Sequence, residues 1–168
     1  IPEGFVHVPA GTFRSGSRSD PYLAPSEQAL PDFLIGRHPV LVADYLEFLC
    51  DLAATDTQDA LMRVPRSADG LQALWSTAED GSYEVPDDLG WTMDMPIVGI
   101  SVEDAAAYCS WCTNRTGQVY RLPSELEWEK ATRGSEGRVY PWGDGWDAGF
   151  TACSESWPKI WPPAVGTF

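Results

Sequence analysis

Apolar and polar residues alternate regularly in a few short stretches of the chain. Between Phe5 and Phe13 the alternation runs about a Pro-Ala-Gly sequence, which predicts a short hairpin. Apolar residues then recur with the period of a helix at Leu41, Tyr45, Phe48, Leu49 and Leu52. This stripe predicts an amphipathic helix, entered from an extended segment.

A second helix is predicted after a short strand at Pro96–Ile100. Ser101 can cap the free amides at the start of this helix, and Asp104 can reach back as in a capping box. Gly117 suits a left-handed stop, so the helix is predicted to end at about Thr116.

The stretch RLPSELEWEKATRG, residues 121–134, predicts a third helix. Ser124 is its expected N-cap, Glu127 the return partner of a capping box and Gly134 the stop. Trp128 and Ala131 are expected to face the core.

Glu125 and Glu129 lie one turn apart on this helix and are a candidate pair of catalytic carboxylates. The helix dipole favours acids in the first turn, which accounts for Glu125 and Glu127 without any catalytic role. The stretch is therefore interpreted as scaffold.

Residues 53–94 lack a clean period and are rich in turn formers. We expect a long loop with one short helix, which either packs on its own aromatic residues Trp75, Tyr83 and Trp91 or carries function.

The composition agrees with a fold of short elements. A chain of 168 residues with 43% hydrophobic residues can bury one core, so a single domain, residues 1–168, is predicted. Eight Trp, fourteen Pro and fifteen Gly favour structured loops over a helical bundle. No apolar run is long enough to span a bilayer and no signal peptide precedes Ile1. We expect a soluble protein of unknown localisation, with further sequence upstream.

A net charge of −14 disfavours nucleic acid and anionic membranes as partners. The densest acidic group is Glu79, Asp80, Glu84, Asp87 and Asp88. It predicts a solvated acidic loop, with a cation site as the alternative.

The four cysteines are Cys50, Cys109, Cys112 and Cys153. Cys109 and Cys112 share one helical face with Ala105, so they are interpreted as buried, inert thiols. A disulfide and a metal site are the alternatives. Tetrahedral zinc would need two further ligands, and the only histidines are His7 and His38. His38 is predicted to be a loop residue.

Four motifs in order resemble the formylglycine-generating enzyme family, the sulfatase-modifying factors. They are FVHVPAGTFRSGS, HPVLVADYLEFL, PIVGISVEDAAAYCSW and RLPSELEWEKATRG with the following YPWGD. The NRTGQVYRLPSE connection is most similar to the versions fused to bacterial serine/threonine kinases. The resemblance implies an α+β, C-type-lectin-like formylglycine-generating-enzyme fold, loop-rich with little regular secondary structure.

Several departures bear on what the resemblance implies. The final AVGTF lies mid-domain in the family, so this chain is expected to be the N-terminal half to two-thirds of the fold. The copper-binding cysteines would follow Phe168. Cys109 matches a family cysteine that can bond to that absent half. Leu41 stands where the family has a helix-capping Thr, Val102 where it has Trp, and Ala152 where it has a calcium-binding Asn.

We therefore predict a non-catalytic ligand-binding or protein-interaction module, in the sensor or scaffold part of a bacterial signalling protein such as a serine/threonine kinase. The alternative is part of a copper-dependent oxidase that converts a sulfatase cysteine to formylglycine, with its active-site cysteines on a missing or separate C-terminal half. A related sulfoxide synthase needs a His-rich iron site, which two distant histidines do not supply.

No catalytic, cofactor-binding or metal-binding residue is assigned in this chain, which alone is not expected to be active. Calcium enters only through the family resemblance, and copper only with the missing half. The expected partner is the remainder of the domain, or another polypeptide, packing on an exposed apolar face. We expect that face to include Phe5, Val8, Phe13, Ile100, Trp111 and Trp128.

Overall fold

The computed structural model describes residues 1–16, 24–78, 81–86, 90–159 and 161–168. The chain forms two compact units. Unit 1 is Ile1–Arg37 together with Pro123–Ser156, and unit 2 is His38–Leu122 together with Trp157–Phe168. Each unit thus joins segments that are far apart in the sequence.

The secondary-structure elements are short. The strands are β1 Phe5–Val8, β2 Gly11–Ser15, β3 Ser26–Leu30, β4 Phe33–Gly36, β5 Ser76–Thr77 and β6 Tyr83–Glu84. The helices are α1 Val42–Ala53, α2 Thr57–Met62, α3 Val102–Thr116 and α4 Glu125–Arg133, with a 3-10 turn at Ala148–Phe150. Within the described ranges every sheet has two strands, so the prediction of a loop-rich α+β fold is confirmed.

In unit 1, β1 pairs with β4 and β2 pairs with β3, both antiparallel. The two pairs share one register, since Val8 lies opposite Phe33 and Gly11 lies opposite Leu30. The four strands are therefore one long ribbon of two arms, interrupted between Val8 and Gly11 on one arm and between Leu30 and Phe33 on the other.

The predicted hairpin between Phe5 and Phe13 is wrong. Pro9 does not form a turn there but interrupts one arm of the ribbon, opposite a second interruption at Pro31. Proline has no amide hydrogen to donate to a ladder, so each proline breaks the pairing without reversing the chain.

In unit 2, the apolar stripe of α1 is buried as predicted, with Tyr45, Phe48 and Leu49 at most 2% exposed. Helix α3 packs aromatic rings against it. The ring centroid of Phe48 lies 5.7 Å from that of Tyr108 and 5.7 Å from that of Trp111. Edge-to-face and tilted contacts at this distance add to the burial of apolar area.

The connection between α1 and α3 contains α2 and the small β5–β6 hairpin. It packs on its own aromatic residues as predicted, because Trp75, Tyr83 and Trp91 are all buried. The rings of Trp75 and Trp91 meet edge to face with centroids 5.7 Å apart. Of the predicted acidic loop, Glu84 pairs with Ser76 in the small hairpin, while Glu79, Asp80, Asp87 and Asp88 lie outside the described residues.

The predicted strand at Pro96–Ile100 is wrong. Only an isolated bridge forms between Leu41 and Pro96, supported by a bond from the Ile97 amide to the Val40 carbonyl at 2.9 Å. Gly99 then takes a left-handed conformation with φ of 74°. That turn ends the extended run, because a β-strand requires negative φ.

The predicted caps are confirmed. Ser101 and Asp104 form a capping box on α3, and Gly117 ends the helix with φ of 72°. At the start of α1 the Leu41 side chain caps nothing, while the carboxylate of Asp44 accepts the Leu41 amide at 3.1 Å. Among the described residues, no helix combines the length and the apolar content needed to cross a bilayer.

Candidate functional site

Helix α4 organises unit 1, and its two ends are as predicted. The Ser124 hydroxyl accepts the Glu127 amide at 3.2 Å, and the Glu127 carboxylate accepts the Ser124 amide at 2.8 Å. Gly134 closes the helix with φ of 72°. The cap fixes where the helix begins and so which side chains face the ribbon.

Lys130 holds the interrupted arm of the ribbon against α4. Its side chain is buried, and its ammonium group donates to the carbonyls of Pro9, at 2.8 Å, and Gly11, at 3.0 Å. These carbonyls lie at the break in the strand. A buried charge needs such hydrogen-bonded partners, so Lys130 is a structural residue here.

Glu129 and Arg133 join the end of β2 to the loop after α4. Glu129 accepts the Gly16 amide at 2.8 Å and pairs with the Arg133 guanidinium. Arg133 also donates to the carbonyls of Gly16, at 2.8 Å, Gly137, at 2.9 Å, and Arg138, at 2.5 Å. Every arm of this guanidinium is therefore engaged within the protein.

These contacts bear on the candidate carboxylate pair. Glu129 is half-buried in its ion pair with Arg133, whereas Glu125 is exposed one turn earlier. A carboxylate held by an arginine and a backbone amide has a structural task. The contacts support the interpretation of this stretch as scaffold.

The loop after α4 lies directly on β2. The Arg14 amide donates to the Ser135 carbonyl at 3.1 Å. Gly137 has φ of 67°, and a Cβ atom there would lie 2.6 Å from the Arg14 carbonyl oxygen. Only glycine combines that conformation with so close an approach.

A cleft of about 1000 Å³ opens between this loop and β2. Three arginines line it, Arg14, Arg133 and Arg138, together with the acids Glu136 and Asp144. We call it the arginine cleft. Five of its lining residues are charged, so it offers partners for a charged ligand group.

The chain beyond the cleft forms an aromatic loop, defined as residues 140–150. A tight turn starts it, with the amides of Tyr140 and Gly143 bonded to each other's carbonyls. The ring of Trp142 stacks between Tyr140, at 5.3 Å, and Phe150, at 5.6 Å. Trp146 leans on this stack and is 53% exposed, and Phe150 is 58% exposed.

The four cysteines are free thiols. On α3, burial raises the pKa of both Cys109 and Cys112, and the bond from the Tyr108 hydroxyl only partly opposes this for Cys112. In unit 1 hydrogen bonding with Ser156, whose hydroxyl oxygen lies 3.4 Å from the sulfur, lowers the pKa of Cys153. The interpretation of Cys109 and Cys112 as poorly reactive thiols is supported by these environments.

The sulfatase-modifying factor enzyme 1-like domain family matches residues 2–167. The chain belongs to this family. It is 31% identical to a formylglycine-generating enzyme of Thermomonospora curvata, over 86% of the chain and 54% of the relative. It is 28% identical to the inactive C-alpha-formylglycine-generating enzyme 2 of Mus musculus, over 83% of the chain and 50% of the relative. The chain thus spans about half the length of these curated relatives.

The fold of this sulfatase-modifying factor domain is also that of a solved structure. PvdO from Pseudomonas aeruginosa matches 85% of the chain and 52% of its own length, with a TM-score of 0.56 and 24% identity. The predicted family and fold are confirmed. The relatives include both active and inactive members, so membership alone leaves the activity open.

The two thiols on α3 of this sulfatase-modifying factor domain are poorly suited to copper. Copper(I) binds soft thiolate ligands. Burial raises the pKa of Cys109 and Cys112, which disfavours the thiolate in both.

Calcium also finds no fitting set of oxygens in the described residues, which contain no group of three or more His, Cys, Asp or Glu side chains that could hold a metal. Calcium takes six to eight oxygen ligands. Ala152 offers no side-chain oxygen, and one oxygen each of Asp144 and Asp147 accepts a backbone amide.

Trp128 was expected to anchor the core, and this prediction is wrong. It is 58% exposed, while its helix neighbours Glu127 and Lys130 are buried. These two charged residues face inward because the capping box and the ribbon carbonyls satisfy them.

The predicted apolar face is only partly exposed. Phe13 is buried, Trp128 is exposed, and Phe5, Val8, Ile100 and Trp111 are intermediate. The residues that sequence reasoning missed are the arginines of the cleft and the exposed rings of the aromatic loop. The spacing of aromatics in YPWGDGWDAGF could have indicated the loop. Nothing local links Arg14 with Arg138.

Proposed function

We propose that this sulfatase-modifying factor domain is a non-catalytic binding module whose interaction surface is the aromatic loop of unit 1. The observation that carries the proposal is the exposure of Trp146 and Phe150 on a stack of four rings. Scattered exposed apolar residues are ordinary, but contiguous aromatic patches mark interaction sites. Aromatic residues are also enriched among the residues that dominate binding energy.

The stack makes the surface well suited to binding. Because Trp142 is fixed between two rings, and its indole donates to the Gly145 carbonyl at 3.0 Å, little side-chain entropy remains to be lost on association. The partner we infer is another polypeptide, or the remainder of the same domain, presenting apolar side chains. The sensor or scaffold part of a larger signalling protein, such as a serine/threonine kinase, is the setting proposed for it.

The two thiols on α3 support a non-catalytic role for this chain. An oxidase acting through cysteine needs thiolates, and burial raises the pKa of Cys109 and Cys112. The second candidate is that the chain forms part of a copper-dependent formylglycine-generating oxidase. The identity to the Thermomonospora curvata enzyme favours it. In that case the copper-binding cysteines lie outside these residues.

Two measurements test the proposal. In the first, light scattering after size exclusion should find assemblies larger than the 18.5 kDa of one chain. In the second, fluorescence should show that the chain binds a hydrophobic dye if it stays monomeric. The double substitution Trp146→Ser and Phe150→Ser should abolish either behaviour. The matched control, Val119→Ser, changes an apolar residue that is 85% exposed but outside the loop. An unaltered double variant would refute the role of the aromatic loop.

Catalysis is tested separately. The chain, supplied with copper(I), oxygen and a peptide containing C-x-P-x-R, should yield no aldehyde that a hydrazide can capture. Aldehyde formed by the chain and lost on Cys109→Ser or Cys112→Ser would favour the oxidase instead.

A further inference from the structure

The arginine cleft gathers positive charge in a strongly acidic chain. The chain has eleven Lys and Arg residues and a net charge of −14, yet three of the eleven line this one cleft. Its lining acids are Glu136 and Asp144. Arg133 is already paired with Glu129, which leaves Arg14 and Arg138 as the arginines of the cleft available to a ligand. Because the net charge of the chain repels oxyanions, one that binds here must be held by direct hydrogen bonds from these two side chains.

Arg133 forms the floor of the cleft and holds its shape. Its guanidinium is engaged with Glu129 and with the carbonyls of Gly16, Gly137 and Arg138. These four bonds use four of its five N–H donors, so Arg133 has little capacity left for a ligand. Its task is to position the chain segments that carry the other two arginines.

Arg138 is held in place at the end of α4. Its Nε atom donates to the Arg133 carbonyl at 3.1 Å. One terminal nitrogen lies 3.3 Å from the position that a Cβ atom would take on Gly134, so the guanidinium lies over a residue without a side chain. With Nε engaged, its terminal nitrogens remain to face the cleft.

The side chain of Arg14 leaves β2 next to Gly137, the residue that precedes Arg138. The position of a Cβ atom on Gly137 is only 3.0 Å from the Arg14 Cβ atom, so the two chain segments touch where Arg14 leaves the strand. The neighbouring hydroxyl of Ser15 is turned toward Ser26, 3.0 Å away, and takes no part. Arg14 is exposed, and its side chain makes no hydrogen bond to another described residue.

We propose that Arg14 and Arg138 together bind an oxyanion in this cleft, namely a carboxylate or phosphate group carried by a ligand. Planar guanidinium groups match both kinds of oxyanion with paired hydrogen bonds. Of the two lining acids, Glu136 and Asp144, the second has one oxygen turned to the backbone, where it accepts the Val139 amide at 3.0 Å. The proposal rests on the binding function proposed for unit 1, since the cleft and the aromatic loop share Asp144.

The test is a titration of the protein followed by amide NMR, at constant ionic strength set with chloride. One arm uses inorganic phosphate and the other a capped tetraglutamate peptide. Saturable shifts are expected for the amides of residues 135–139. Arg14→Gln and Arg138→Gln should each weaken the apparent affinity by about tenfold, since each removes a charge-assisted contact. Arg138→Lys should retain part of it.

Arg37→Gln is the matched control, because Arg37 is an exposed arginine of unit 1 outside the cleft. It should bind as the unchanged protein does. If Arg138→Gln disturbs the loop, Arg14→Gln carries the test, because it removes no hydrogen bond to the described residues. Tighter binding of phosphate would indicate that the ligand is a free phosphate compound. Tighter binding of the peptide would indicate that the ligand is an acidic polypeptide.

The absence of saturable shifts with both probes would overturn the proposal. The proposal would also be overturned if the shifts in Arg14→Gln and Arg138→Gln were as large as those in the control Arg37→Gln. Such shifts would report a general effect of charge and not binding in the cleft. The titration measures anion binding in the cleft, whereas the proposed function is tested by assembly through the aromatic loop and by aldehyde formation. A failure of one proposal can therefore be distinguished from a failure of the other.

Discussion

Glu129 and Arg133 form an ion pair one turn apart on α4, and each also bonds to the same residue, Gly16, at the end of β2. The carboxylate accepts the Gly16 amide and the guanidinium donates to the Gly16 carbonyl. One backbone residue is thus held from both sides. Each side chain of the pair is only 17% exposed, so water competes little for their hydrogen bonds.

Arg133→Met should therefore destabilise the chain strongly. It leaves Glu129 with a half-buried charge and removes donors from the Gly137 and Arg138 carbonyls. We expect a loss of about 3 kcal/mol in the free energy of unfolding, measured by urea denaturation. Arg37→Met, an exposed control in the same unit, should change it by less than about 0.5 kcal/mol. Equal losses in the two variants would contradict the structural role of Arg133.

Gly137→Ala should also destabilise unit 1. The new methyl group would lie 2.6 Å from the Arg14 carbonyl oxygen, and φ of 67° is itself unfavourable for alanine. We expect a cost of more than about 2 kcal/mol, the sum of conformational strain and displaced backbone. Gly70→Ala is the control, since Gly70 has φ of 73° with open space around the added atom. It should cost about 1 kcal/mol, from conformation alone. Thermal melts of both variants would separate the two contributions.

The helices could be predicted from the sequence because their signals are local. Ser101, Asp104 and Gly117 lie within one helix, and each acts on its own neighbourhood. The ribbon could not be predicted in this way. The pairing of Val8 with Phe33 depends on residues far apart in the sequence, and the alternation at Phe5–Phe13 fits both a hairpin and an interrupted arm.

The site shows the same limit. Capping geometry predicted the Ser124–Glu127 box of α4, but not which face of the helix is buried. Lys130 faces inward because its ammonium group donates to the carbonyls of Pro9 and Gly11, which lie on a distant segment. Trp128 lies on another side of the helix and is exposed. The arginine cleft likewise depends on Arg14 and Arg138 meeting across the fold, which no spacing along the chain reveals.

The exposure of Trp128 changes what its removal should do. Trp128→Ala should lower the free energy of unfolding of this chain by about 2 kcal/mol or less, because a side chain that is 58% exposed has less than half of its area buried. Phe13→Ala, at 1% exposure, should cost about 3–5 kcal/mol. Urea denaturation of the two variants compares a true core residue with a surface one. A loss of similar size for both would mean that Trp128 is buried after all.

The cysteines should differ in reactivity in a way that follows their surroundings. Hydrogen bonding from Ser156 lowers the pKa of Cys153, while burial raises the pKa of Cys109 and Cys112. The thiolate is the reactive form, so at a pH just below the ordinary thiol pKa Cys153 should be alkylated faster than the two thiols of α3. Peptide mapping by mass spectrometry after timed iodoacetamide treatment would measure each rate.

Ser156→Ala removes the bond that favours the Cys153 thiolate, so the pKa of Cys153 should rise and its alkylation should slow at the same pH. The pH at which its rate is half-maximal should move upward, because the lost interaction stabilised only the charged form. Rates at Cys109 should not change and serve as the internal control. If Cys112 reacted as fast as Cys153 in the folded chain, the thiols of α3 would be available as thiolates, and the argument against copper binding by this chain would fail with them.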